Sequence, residues 1–286
     1  MLTIKIKSAF CTGVLMSGAV GLGAPEALSQ PQEADRPVAA NQLEEVMVTA
    51  RKREESLQEA PLSITAFSRD MIEDRQMLNI GDINNFTPNL QFDSVAPNSG
   101  FSNSSAVTVR GIGQDDFVLV VDPGVGIFLD GVYVSRSVGN LFDTADIASI
   151  EVLKGPQGTL FGKNTIGGAV VVQSIRPQPG FSASLEGVVG EDSRTDYRGS
   201  INIPVNDSLA LRANLSGQKR DGYNIRIPSG DDQGDMNRMS GRVSLLYSPN
   251  DSFELYLAAD YSTVDEKGPA IENLAMDEVG SSFGDF

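Results

Sequence analysis

V-T-V-R-G-I-G at 107–113, D-P-G-V-G-I-F-L-D-G-V-Y-V at 122–134 and I-E-V-L-K-G-P-Q-G-T-L-F-G-K-N-T-I-G-G-A-V-V-V at 150–172 are the blocks from which the fold of this chain is read. Each sets β-branched residues in short runs separated by glycine, the composition of strands joined by tight turns. In the second block, Asp130-Gly131 joins two such runs, and this pair suits a type I′ hairpin turn whose positive φ angles match the twist of the flanking strands. Residues 150–153 and 169–174 read as further strands. Upstream, 61–67 alternates through Leu62, Ile64 and Ala66 as a strand would. Ser68 can then cap a helix running through Met71, Ile72, Arg75 and Leu78, and a second short helix is predicted over Ile80–Phe86. Turn chemistry surrounds Pro88, and 93–105 is a Ser-, Asn-, Pro- and Gly-rich loop. The sum is a small α+β domain over 57–176.

Between the last two strands lies the glycine-rich stretch 155–164, which invites a phosphate-cradling reading. A P-loop needs four residues between its first Gly and a Gly-Lys pair, with Ser or Thr after the lysine. Here the first position is Gln157 and Asn164 follows Lys163. The glycines instead permit compact turns.

After Pro177 the pattern changes. Apolar or small residues alternate with polar ones in 181–189, and the same period of two recurs in 197–205, 209–217, 239–247 and 253–261. Runs of roughly 10 residues, apolar on one face and polar on the other, are the signature of membrane-barrel strands. Tight turns at Asn206-Asp207 and at Pro249-Asn250-Asp251 alternate with longer connections at 190–196 and 218–238. Such alternation is expected when one rim of a barrel faces the periplasm and the other the outside. Phe181, Tyr197, Tyr247, Phe253 and Tyr261 stand at run ends, where aromatic girdles sit. No later segment approaches the roughly 20 apolar residues of a spanning helix.

Composition narrows the function. The net charge is −16, which argues against a nucleic-acid or phosphate-binding surface. Histidine is absent, removing the most frequent general base and transition-metal ligand. The one cysteine, Cys11, lies in the leader, so no disulfide, cofactor or metal site is expected, and no catalytic motif stands out. Residues 1–29 read as a signal peptide: Lys5 and Lys7 give a positive start, 8–23 is mostly apolar or small, and cleavage is expected after Ser29. Residues 30–56 form a flexible arm that holds the β-prone run Glu45, Val46, Met47, Val48, Thr49 and Ala50. By periodicity this run is an edge strand of the following domain. As an extended segment in a mobile tail it is also the kind of ligand that adds to another protein's sheet edge.

The blocks at 107–113, 122–134 and 150–172, in that order, resemble the plug domain of TonB-dependent outer-membrane receptors, and E-E-V-M-V-T-A-R at 44–51 resembles their TonB box. The resemblance implies an α+β plug (57–176) followed by the first antiparallel strands of a transmembrane β-barrel (177–286). Such plugged barrels close with about 22 strands, and five are legible here, so the chain is expected to be a fragment. It further implies that residues 45–50 bind TonB of the TonB–ExbB–ExbD complex, that the protein lies in outer-membrane lipid with plug and TonB box facing the periplasm, and that it is not an enzyme. The implied activity is plug-gated import of a small-molecule or metal-chelate ligand. Iron–siderophore cargo leads, with cobalamin, haem or glycans as alternatives. In the family, charged residues of the R-G and E-V-L-R-G-P blocks latch the plug to the barrel. Arg110 and Glu151 match those positions, and Lys154 replaces the usual arginine, keeping its charge but not its bidentate fork. A passive pore or adhesin would account for the strands but not for the elaborate first half.

Overall fold

The computed structural model describes residues 2–7 (backbone alone), 47–48, 55–93, 104–114, 121–135, 146–225, 230 and 232–268. The remainder of the leader and arm, with Glu45, Val46, Thr49 and Ala50, and most of the 93–105 loop lie outside the described residues.

The elements in chain order are β1 (Leu2–Lys7), β2 (Met47–Val48), β3 (Glu55–Ser56), β4 (Ile64–Ser68), α1 (Arg69–Asp74), a 3₁₀ helix (Ile80–Phe86), β5 (Leu90–Asp93), β6 (Ala106–Val109), β7 (Ile112–Gln114), β8 (Val125–Leu129) and β9 (Val132–Val134). There follow β10 (Ile147–Lys154), α2 (Gly158–Phe161), β11 (Gly168–Ser174), β12 (Ser182–Val189), β13 (Thr195–Asn206), β14 (Leu209–Arg220), β15 (Asn224–Ile225), β16 (Asp232–Gln233), β17 (Met236–Asn250) and β18 (Phe253–Val264).

The first domain is built on a five-stranded sheet in the order β4-β10-β11-β8-β9, with β11 and β8 parallel and the other pairs antiparallel. Its central strands are buried on both faces, which is why they read as continuous apolar runs and not as an alternation. Ile150, Val152, Val170 and Val172 face the larger cluster with Phe67, Ile72, Ile80 and Ile83, while Leu153, Ala169 and Val171 meet Phe128 on the other side. A separate ladder, β5-β6-β7, lies beside this sheet.

Local chemistry sets the boundaries. Ser68 caps α1, its Oγ accepting from the Met71 amide at 3.3 Å. The helix ends earlier than its apolar spacing suggests, because Gln76 turns left-handed (φ 53°). The amides of Gln76 and Met77 then donate to Glu73 and Ile72 carbonyls, a Schellman closure that swings Met77 into the core beside Ile72. The 3₁₀ helix is fixed by a capping box between Asn79 and Asp82. The predicted turn at Asp130-Gly131 is present, with φ 49° and 82°. Arg110-Gly111, with φ 53° and 77°, makes a second hairpin turn of the same sense between β6 and β7, which the sequence reading did not assign. Gly167 answers a close approach: a Cβ there would stand 2.6 Å from the Ile112 carbonyl oxygen. Part of the demand for small residues thus comes from β7 crossing within the domain.

The second unit is an antiparallel sheet, β1-β12-β13-β14-β17-β18. The five predicted runs are all strands, several of them longer than the apolar alternation. β14 continues to Arg220 and β17 begins at Met236, because ladder hydrogen bonds continue past the end of an apolar band. The long connection shrinks accordingly and holds the small hairpin β15–β16. Leu2–Lys7, read as the start of a leader, lies antiparallel along the edge of β12, where backbone groups would otherwise be unpaired.

Candidate functional site

The site is the junction between the first domain and the strands that wrap it, and it begins with an inverted sheet. Along β13 the even positions Asp196 and Asn202 are buried, while Tyr197, Ile201, Ile203 and Val205 are exposed. On β14 and β17, Arg212, Ser216, Arg242 and Ser244 are buried, whereas Leu215 and Val243 are exposed. β18 turns Leu257 (55% exposed) and Tyr261 (64%) outward. A water-soluble sheet packs its apolar face on the core. Here polar side chains meet the domain and apolar ones face out, which suits a hydrocarbon surround. Tyr247 and Phe253 stack edge to face at the short-turn rim. Among the described residues no helix is long and apolar enough to cross a membrane.

Two carboxylates of the first domain reach the polar wall. Asp146, just ahead of β10, accepts from Arg212 Nε at 2.6 Å, the two side chains being 10% and 6% exposed. Its second oxygen, Oδ2, is buried without a hydrogen-bond partner among the described residues. Burial pushes the Asp146 carboxyl above its ordinary range, and the opposing pull of Arg212, Asn214 and Arg242 does not cancel it. Asp130, in the β8–β9 turn, accepts from the Ser174 amide at 2.8 Å and hydroxyl at 2.7 Å. It also takes a short hydrogen bond from Arg242. Arg242 in turn donates to Asp260 at 2.9 Å and to the Tyr256 hydroxyl at 3.2 Å.

The segment that leaves β11 is stitched to the same wall. Arg176 pairs with Glu254 at 2.7 Å and lies 5.0 Å from the Tyr256 ring centroid. Asn202, 1% exposed, accepts from the Gln178 amide and donates to the Gln178 carbonyl at 2.8 Å, imitating a strand partner. Further along β13, Arg198 donates to the Leu78 carbonyl at 3.2 Å.

The residues singled out by sequence lie elsewhere. Arg110 donates to Ser63 Oγ at 3.1 Å within the first domain. Glu151 is buried in β10 between β4 and β11. Lys154 closes β10, its amine held below the ordinary lysine range by burial and secondarily by the Arg110 charge. At about 3.3 Å per strand residue, Lys154 is roughly 26 Å from Asp146, at the opposite end of the sheet. Met47 and Val48 pair with Ser56 and Glu55, and Val48 is fully buried. The contacts of Asp130, Asp146, Asn202, Arg212, Arg242 and Tyr256 were missed. The available signal was charged residues inside runs that alternate, and a turn aspartate credited only with its backbone role.

Comparison with known proteins shows what the two parts resemble. The model of the TonB-dependent Receptor Plug Domain matches residues 56–169. The Pesticin receptor of Yersinia pestis is 34% identical over 168 residues, 57% of this chain and 24% of that protein. The Vitamin B12 transporter BtuB of Vibrio vulnificus is 25% identical over 187 residues, 64% of this chain and 29% of that protein. Among solved structures, the ferric yersiniabactin uptake receptor FyuA from Yersinia pestis superposes with a TM-score of 0.62 at 28% identity, covering 70% of this chain and 31% of that one. The chain spans about a quarter of the length of the curated relatives it matches. Residues 56–169 thus match the TonB-dependent receptor plug domain, and with the inverted antiparallel sheet beside it, not closed in this chain, the protein is similar to the N-terminal part of TonB-dependent outer-membrane receptors.

Proposed function

We propose that the protein imports a scarce ligand, a metal chelate of the iron–siderophore type, across the outer membrane, with the plug as gate and TonB as the source of pull. The observation that supports this best is the inverted sheet: apolar side chains outward, and inward a polar wall bonded to the plug through Asp130 and Asp146. A passive pore has no use for a folded obstruction held by buried ion pairs. The long-loop rim faces outside in this reading, and the short turns face the periplasm. A chelate is preferred to cobalamin because the solved relative at 28% identity is named a ferric yersiniabactin uptake receptor, whereas the vitamin B12 transporter is 25% identical.

Residues 45–50 serve as the TonB box. Its central pair, Met47–Val48, lies in the two-stranded ladder with Glu55–Ser56, so TonB of the TonB–ExbB–ExbD complex takes the place of that partner by strand addition. Arg110 and Lys154, at the far end of the plug, and Glu151, buried midway along β10, latch onto wall strands beyond those described. Removal of the leader would vacate the β12 edge that Leu2–Lys7 occupies.

The test is Val48→Pro in the full-length protein. Proline removes a ladder donor and locks φ, so ligand binding to whole cells is expected to persist while accumulation falls to background. Undiminished accumulation would remove residues 45–50 from the coupling role.

A further inference from the structure

The outward face of the wall carries a pattern that an apolar band does not require. At two successive levels, glycines alternate with large side chains across neighbouring strands. One level reads Leu185, Gly199, Leu215, Gly241 and Tyr261 from β12 through β13, β14 and β17 to β18. The other reads Gly187, Tyr197, Gly217 and Met239 over the first four of these strands. The pairs are in contact, and always in one direction. Leu185 Cδ1 lies 3.7 Å from where a Cβ on Gly199 would stand, and Leu215 Cδ1 lies 3.5 Å from the corresponding point at Gly241. A Cβ on Gly217 would overlap the Tyr197 ring, 2.6 Å from its Cε1. Each large side chain therefore leans over the glycine of the following strand. From the strand beyond, no described side chain comes within 4 Å of those points at Gly199 and Gly241.

What such seating can decide is register. Because side chains alternate with a period of two, a slip of two residues keeps apolar side chains outward and polar ones inward, so the inverted pattern tolerates it. A tight turn fixes the β13–β14 pairing, but β14 and β17 are joined by the long connection 221–235, which imposes none. Either slip of two between them sets Leu215 against Met239 or Val243 in place of Gly241. Hydrocarbon gives no reward for clustering apolar side chains, so close packing on a small residue is the discrimination that remains.

We propose that Leu185, Tyr197 and Leu215, each seated on the glycine of the next strand, form a one-way interlock that sets the register of the wall and recognises the strands that adjoin it. At the β12 edge Gly187 is the open seat: no described side chain comes within 4 Å of its Cβ point. A strand bordering β12 is expected to set a large apolar residue opposite it, as β1 sets Ile4. At the other edge Tyr261, 64% exposed, is a knob whose seat, a glycine, is expected on the strand that pairs with β18. The interlock is independent of cargo and of TonB.

The test uses the full-length protein in the outer membrane, in a cysteine-free background, with Ser240→Cys on β17. Its partner is either Ser216→Cys, the register neighbour whose hydroxyl is 2.8 Å away, or Asn214→Cys or Gln218→Cys, which face it only after a slip of two. Oxidation is expected to join chiefly the first pair. Leu215→Ala should raise the slipped cross-links relative to the native one by at least about threefold, the weight of one cross-strand pair. Gly241→Val, which fills the seat, should raise them as much or lower the heat-modifiable barrel on semi-native gels to the same degree. In the Leu215→Ala background, Gly241→Val should add nothing further. Should Gly241→Val leave no folded barrel, Leu215→Ala must bring it back, and failure to do so overturns the interlock. So does a Gly241→Val penalty of equal size with and without Leu215, or native cross-linking and folded yield unmoved by either change. Gly187→Val should also lower the folded yield by at least about threefold, and a harmless valine there overturns the docking of a neighbour at the β12 edge.

Discussion

Replacing Arg212 with methionine tests whether the plug is held by charge. The change preserves much of the side-chain volume but leaves Asp146, 10% exposed, with its carboxylate facing a wall that has lost its nearest cation. Removing one partner of a buried ion pair costs about 3–5 kcal/mol. Asn214 and Arg242 remain close enough to soften the loss, so about 3 kcal/mol at pH 8 is expected. The sign of the pH dependence follows from the raised Asp146 pKa. A carboxyl whose folded pKa exceeds its unfolded one adds stability below the unfolded value, and that stability is lost as pH rises through the folded value. The penalty should therefore shrink on acidification towards the ordinary aspartate range, by up to about 1.4 kcal/mol per pH unit. The assay is urea-induced release of the plug from the full-length protein in detergent micelles, followed by a dye on Val132→Cys, a position 69% exposed. Asp146→Asn added to Arg212→Met should recover most of the loss, because the stranded charge is gone. A loss under about 1 kcal/mol at pH 8, equal losses at pH 5 and pH 8, or no recovery by Asp146→Asn would refute the reasoning.

Three further outcomes are expected. Val243→Arg places a cation on the outward face, where Val243 is 58% exposed; it should destabilise the folded barrel by about 2–4 kcal/mol if that face meets the bilayer midplane, and a neutral effect in refolding titrations into lipid would contradict a hydrocarbon surround. Ser68→Ala removes the α1 cap bond and should cost about 0.5–2 kcal/mol in the same plug-release titration; no measurable change would mean that the Schellman closure suffices. Gly167→Val should prevent β7 from crossing, and increased proteolysis of the plug with the strands still protected would show it, whereas wild-type resistance would count against the close approach.

What the sequence determined by itself was local. The period of two named the strands after Pro177, Asp130-Gly131 named its hairpin and Ser68 named its cap, because each depends on backbone preferences within a few residues. The valines of β11 declared a strand for the same reason, and the structure added that it is buried on both faces. Only the tertiary structure decided which side of the alternating strands is inside, since a period of two is identical for a soluble sheet and an inverted one until something packs against a face. It alone brought Asp146 to Arg212, 66 residues on, and Asp130 to Arg242, 112 residues on, and converted a turn aspartate into an anchor.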